Sequence, residues 1–135
     1  MEFTSRLCGP RARAILPLLL AFAAAPALAQ QDASQFPAAA MSFLGQELPE
    51  MEIAVNEKDG DYFRDATARM LDFSDSWGFK SATNPALPTA CTEPVSDFLV
   101  VGMCRVMTTS EACDPELPTR FDSNLQKCRA LAGKR

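Results

Sequence analysis

The chain has 135 residues, 47% hydrophobic and 22% charged, with five cysteines and no histidine. That length allows one ordinary domain, and the apolar content is that of a folded protein, not of a disordered chain. With no histidine there is no His-ligated zinc, no His-based catalytic triad and no C-x-x-C-H haem attachment.

The first 29 residues have the layout of a secretory signal peptide. Arg6, Arg11 and Arg13 precede an apolar run from Ala14 to Ala25, interrupted only by Pro17, and Ala27-Leu28-Ala29 supplies the small residues of a cleavage site before Gln30. The apolar run of about 12 residues is short of the ~20 that span a bilayer, which favours a cleaved signal over an anchor. The absence of an Arg-Arg pair points to the general secretion route. Cys8 lies ahead of the apolar run and leaves with the signal. The Ala- and Leu-rich leader is bacterial in character, and the expected destination is the periplasm. After cleavage the chain keeps 10 Lys+Arg against 16 Asp+Glu, a formal charge of −6. Such a chain is a poor ligand for nucleic acid or for an anionic membrane surface, and no membrane insertion is expected after cleavage.

Residues 30–40 carry no sustained apolar period and are expected to form a flexible leader. A single small domain then covers 41–135. Met41 to Leu48 suits a short helix broken at Pro49. Met51, Ile53 and Val55 alternate with polar residues, which suggests a short extended segment over 51–55. The strongest element is residues 61–77, where Phe63, Ala66, Met70, Phe73 and Trp77 recur at spacings of 3 and 4, one stripe of an α-helix. Asp59 or Asp61 can cap its start and Gly78 can end it in the left-handed conformation, with Phe79 folding back. Asp61–Arg64, Asp65–Arg69 and Arg69–Asp72 stand at helical neighbour spacing on its wet face. Pro85, Pro88 and Pro94 mark a loop over 80–94.

Residues 95–109 are apolar enough for either a buried strand or a helix, and their length favours helix. Thr119 can cap a last helix carrying Phe121, Leu125, Cys128 and Leu131 and ending at Gly133. The fold class is therefore mainly α: a small disulfide-stapled domain of about three helices, closing in a C-terminal helical hairpin.

Cys91, Cys104, Cys113 and Cys128 remain after cleavage, and an even count in an exported chain argues for two disulfides. The pairs Cys91–Cys128 and Cys104–Cys113 share nearly the same sequence midpoint, as residues brought together by an antiparallel hairpin do. That nested connectivity is the expected one. No C-x-x-C pair is present, which argues against zinc and against a redox-active dithiol. The acidic stretch Asn56 to Asp61 fails as a calcium loop: with Gly60 at the turn position, Val55 and Ala66 fall where acidic ligands belong.

Charge is lopsided. Residues 47–75 carry nine acidic side chains against Lys58, Arg64 and Arg69. Glu47, Glu50, Glu52, Glu57, Asp65 and Asp72 form the candidate docking face for a basic partner, set against the simpler role of a solvated surface. No nucleophile elbow, phosphate loop or dinucleotide fingerprint is present, and no particular carboxylate pair is marked for acid–base work. The expectation is a protein that is not catalytic by itself and binds no cofactor. Its expected role is an accessory or stabilising subunit of an envelope complex, in contact with a larger periplasmic or membrane-associated subunit. The alternative is a free-standing periplasmic binder, an inhibitor or stress-protective protein, presenting the loop from Thr109 to Pro118.

Overall fold

A computed structural model describes residues 31–107 and 113–134. The signal-peptide reading falls outside them, as does the Thr109 to Ala112 part of the candidate loop. Among the described residues a short 3-10 turn, Ala33–Gln35, leads into four α-helices: α1 Phe36–Glu57, α2 Gly60–Ser76, α3 Thr89–Val106 and α4 Leu117–Ala132. Helix α3 packs on both α1 and α4, and α2 closes the bundle against α1 and α3.

Helix α1 differs most from expectation. It runs for 22 residues through both the expected leader and the expected extended segment. Phe36, Ala40, Leu44, Glu47, Met51 and Ala54 form its buried stripe, spaced 4, 4, 3, 4 and 3, with Pro37 buried beside Phe36, so residues 51–55 are helical and not extended. Residues 36–40 are no flexible leader either. Phe36 is fully buried, with its ring 5.1 Å from Trp77 and 5.5 Å from Phe79 in edge-on contacts. Pro49 does not break the helix. It removes only the hydrogen bond to the Gly45 carbonyl, and both residues lie on the exposed side, where that oxygen is open to solvent.

Helix α2 matches the sequence pattern to within one residue at each end. Asp59 accepts hydrogen bonds from the main-chain nitrogens of Asp61 (2.9 Å) and Tyr62 (3.2 Å). At the far end Gly78 takes φ 71° and the Phe79 nitrogen donates back to the Ser74 carbonyl at 2.9 Å. Asp61 pairs with Arg64 at 2.9 Å as expected, but Arg69 turns away from Asp65 and Asp72 toward α1.

Residues 95–106 are helical, and α3 begins earlier than expected, at Thr89, with Pro94 inside it. The Pro88 carbonyl accepts from the nitrogens of Cys91 and Thr92, which starts the helix before Pro94 is reached. Helix α4 likewise starts two residues ahead of Thr119. Asp114 caps this turn by accepting from the Glu116 nitrogen at 2.9 Å, and Pro118 fits the first turn, where no donor is required.

Two disulfides staple the hairpin of α3 and α4, joining Cys91 to Cys128 and Cys104 to Cys113, the nested pairing read from their spacing. Cys91 and Cys128 are fully buried among Val95, Phe98 and Phe121, while Cys104 and Cys113 are partly exposed. A bridge closing a 37-residue separation contributes about 4 kcal/mol in the chain-entropy account, a large part of what holds a domain of this size. Two such bridges belong to a protein matured in an oxidising, extracellular-type compartment. Among the described residues no helix is long and apolar enough to cross a membrane.

Candidate partner-binding surface

The six acidic residues of the candidate face divide into two classes. Glu47 is buried between α1 and α2 and is spent inside the fold. Arg69 donates to it through two nitrogens, Nε to Oε1 at 2.6 Å and Nη2 to Oε2 at 2.9 Å. The Tyr62 hydroxyl shares its proton between the Glu47 carbonyl oxygen (3.0 Å) and Oε2 (3.1 Å), and the Arg69 guanidinium lies 5.8 Å from the centre of the Tyr62 ring. A bidentate pair of this kind is directional as well as strong, and it fixes the register of α2 on α1. Burial, followed by the charge of Glu47, raises the Tyr62 hydroxyl well above its ordinary pKa, and the Glu47 hydrogen bonds raise that of Arg69.

Glu52 is exposed but is paired within the chain. It receives Nη1 and Nη2 of Arg105 at 2.6 and 2.7 Å, tying the middle of α1 to the end of α3. The hydrogen bonds from Arg105 hold the Glu52 carboxyl below the usual carboxylate range. Neither Glu47 nor Glu52 presents a bare charge to a partner, which corrects their place on the candidate face.

Glu50, Glu57, Asp65 and Asp72 remain, all exposed. Glu50 and Glu57 are two turns apart and so share one side of α1, with Ile53 between them and 51% exposed. Asp65 and Asp72 repeat the arrangement on α2. Glu50 acts by its charge on Tyr62 and Asp65 on Arg69, so these two acids lie near the seam between α1 and α2. Of the four, Asp65 has a basic neighbour at ion-pair distance among the described residues, Arg64 at 3.3 Å. The surface is a rigid acidic face with one aliphatic side chain within it.

A second surface was missed in the sequence. Val100 (43% exposed), Met103 (38%) and Met107 (46%) recur at spacings of 3 and 4 along the solvent side of α3, opposite the buried Phe98, Val101 and Gly102. Beside this ridge Phe63, Met103, Val106 and Met107 line an open hollow of about 290 Å³. The signal was present: residues 98–104 form an uninterrupted apolar run of two turns, more than one buried stripe can use.

The polar groups between α3 and α4 serve the hairpin. Asn124 donates to Glu93, and Arg120 donates to Asp114 at 3.0 Å. Burial raises the Asp97 carboxyl, an effect that the charge of Arg120 partly offsets. Phe79, Thr89, Thr92, Glu93, Ser96 and Asp97 line a small polar hollow of about 270 Å³ along this side. Among the described residues no three Cys, Asp or Glu side chains converge in a way that could hold a metal ion.

The chain matches no known family model, no curated protein and no solved structure.

Proposed function

We propose that this chain is a non-catalytic accessory subunit of a periplasmic envelope complex. It is exported by the general secretion route and stabilises a larger periplasmic or membrane-associated subunit by contact, as the small cofactor-free subunit of a dehydrogenase–cytochrome assembly would. The observation that carries this reading is the acidic face of α1 and α2. Glu50, Glu57, Asp65 and Asp72 are exposed and, among the described residues, tie no two helices together, Asp65 pairing only with its neighbour Arg64; they stand on two helices joined by the Glu47–Arg69–Tyr62 node. Charges held on a rigid base steer and orient a basic partner without an ordering cost at encounter. The signal sequence and the two disulfides support the compartment.

Charge reversal tests the reading. The tagged protein is isolated from its own envelope without reductant, alongside the variant Glu50→Lys/Glu57→Lys/Asp65→Lys/Asp72→Lys. The wild type is expected to bring down one stoichiometric larger subunit that high salt releases. The variant, folded by circular dichroism, is expected to lose it. Equal recovery of the subunit by both proteins overturns the assignment of the face.

A second reading is favoured by one observation, the short staple between Cys104 and Cys113. A short disulfide-closed segment has less conformational entropy to lose on binding, and a free-standing binder would act through it. That reading predicts a stable lone monomer whose binding is abolished by changes within residues 109–118 and unaffected by the four charge reversals.

A further inference from the structure

The four cysteines of the described chain are tied in two disulfides, so among the described residues no thiol is left to meet an oxidant. The soft sulfur nucleophiles are then Met41, Met51, Met70, Met103 and Met107. These five are not equivalent. Met51 is 4% exposed and faces Gly102 and Phe63 in the core, and Met41 and Met70 are half-buried against it. Met103 stands on the solvent side of α3, Met107 follows the helix directly as its capping residue, and both line the same open hollow. Neither is part of the core, so oxygen added to either sulfur points into water, not into packed side chains.

We propose that Met103 and Met107 are a paired sulfoxidation site at which a peroxide oxidant turns the apolar ridge of α3 polar while the bundle stays folded. In each step the thioether lone pair attacks one oxygen of hydrogen peroxide. The O–O bond breaks as the S–O bond forms, and the proton on the transferred oxygen passes to the departing hydroxide to give water. The sulfur loses two electrons and the peroxide gains them. The product is a methionine sulfoxide, which thiol-dependent sulfoxide reductases return to the thioether, so the change is reversible in kind. Oxidation of Met51 has the opposite character. A sulfoxide oxygen there is forced against Gly102 and Phe63 in the apolar core and is expected to destabilise the bundle. The site stands on side-chain exposure and needs no partner.

The test is a time course of the folded, disulfide-bonded protein in hydrogen peroxide. It is followed by peptide mass spectrometry, hydrophobic-interaction chromatography and thermal unfolding. Met103 and Met107 are expected to gain oxygen first and Met51 last, in the order of their exposure. The doubly oxidised species is expected to elute earlier from the hydrophobic column and still to unfold cooperatively. Met103→Leu/Met107→Leu, which keeps the apolar volume, should lose the fast phase and the elution shift while Met41, Met51 and Met70 react as before. The proposal is overturned if Met41, Met51 or Met70 oxidises as fast as the α3 pair. Loss of cooperative unfolding with the first oxygen, or a fast phase that survives in the double variant, overturns it equally.

Discussion

Gly102→Ala and Gly45→Ala make the same chemical change in the interior of two helices, and the structure predicts opposite outcomes. A Cβ at Gly102 would stand 2.6 Å from Met51 Sδ, 2.8 Å from Met51 Cγ and 2.9 Å from Phe63 Cε1. Ordinary contact between such atoms is about 3.5–4.0 Å, so both side chains must yield by roughly 1 Å. Both are buried, which leaves them little room to do so. Overpacking of this kind costs about 1–3 kcal/mol, and the better helix propensity of alanine returns about 1 kcal/mol. The net expectation is a loss of about 1 kcal/mol, or roughly 4–8 °C in Tm for a domain of this size. At Gly45 no atom lies within 4 Å and the residue faces solvent, so the propensity gain stands alone and stability rises by about 0.5–1 kcal/mol. Urea unfolding with disulfides intact measures both, provided the m-value is unchanged. Met51→Ala completes a cycle: the double variant Met51→Ala/Gly102→Ala should cost about 1 kcal/mol less than the sum of the singles, because the first change vacates the space that the second needs. If both glycine substitutions stabilise, or the cycle is additive, the close approach of α3 to α1 and α2 at Gly102 is wrong.

Four further outcomes follow from the polar and covalent ties. Glu47→Gln keeps the shape but loses the charge that receives Arg69, and is expected to cost about 1–2 kcal/mol by urea unfolding, the lower part of the range for a buried pair because the Arg69 head reaches water. Glu52 and Asp97 act with opposite sign in pH. Glu52, lowered by Arg105, contributes stability that is present above pH 4.5 and lost as pH falls through its folded pKa, so the Tm gap between wild type and Glu52→Gln should close in acid. Asp97, raised by burial, holds its proton more tightly in the folded state. Its unfavourable contribution grows as pH rises from below 3.8 through the folded pKa, so Asp97→Asn should raise Tm at pH 7 and have no such effect at pH 3. Mild thiol reductant followed by alkylation mapping should open the partly exposed Cys104–Cys113 bridge well before the buried Cys91–Cys128 bridge, and loss of the latter should cost about 4 kcal/mol against about 3 kcal/mol for the former.

How legible each part was depends on what occupies the buried positions. The stripe of α2 is made of Phe63, Ala66, Met70, Phe73 and Trp77, mostly large and apolar, with a capping aspartate before it and a left-handed glycine after it, so pattern and punctuation agree. The stripe of α1 has the same period but runs through Ala40, Glu47 and Ala54. Small alanines carry little hydrophobic signal, and a glutamate at a core position reads as surface until its partner is known. That partner, Arg69, lies 22 residues away on another helix, beyond any local pattern. The alternation of Met51, Ile53 and Val55 imitated a strand only because Ile53 is an exposed aliphatic. Pro49 and Pro94 misled as breakers because each interrupts a single hydrogen bond in a helix otherwise held by packing. The disulfide pairing was legible because nested spacings reflect a hairpin, a property of topology and not of local conformation. On the surface, residue type located the acids but did not say which ones the fold would use: geometry withdrew Glu47 and Glu52 and left Glu50, Glu57, Asp65 and Asp72.

The central claim is that this bundle works as one part of a larger assembly, and the native mass of the protein gently extracted from its own envelope without reductant tests it most directly. The account predicts one copy of the chain bound to a larger subunit at fixed stoichiometry, with both disulfides intact and the complex dissociating as salt is raised. A lone monomer of this chain under the same conditions, at low salt and with its disulfides formed, would contradict it.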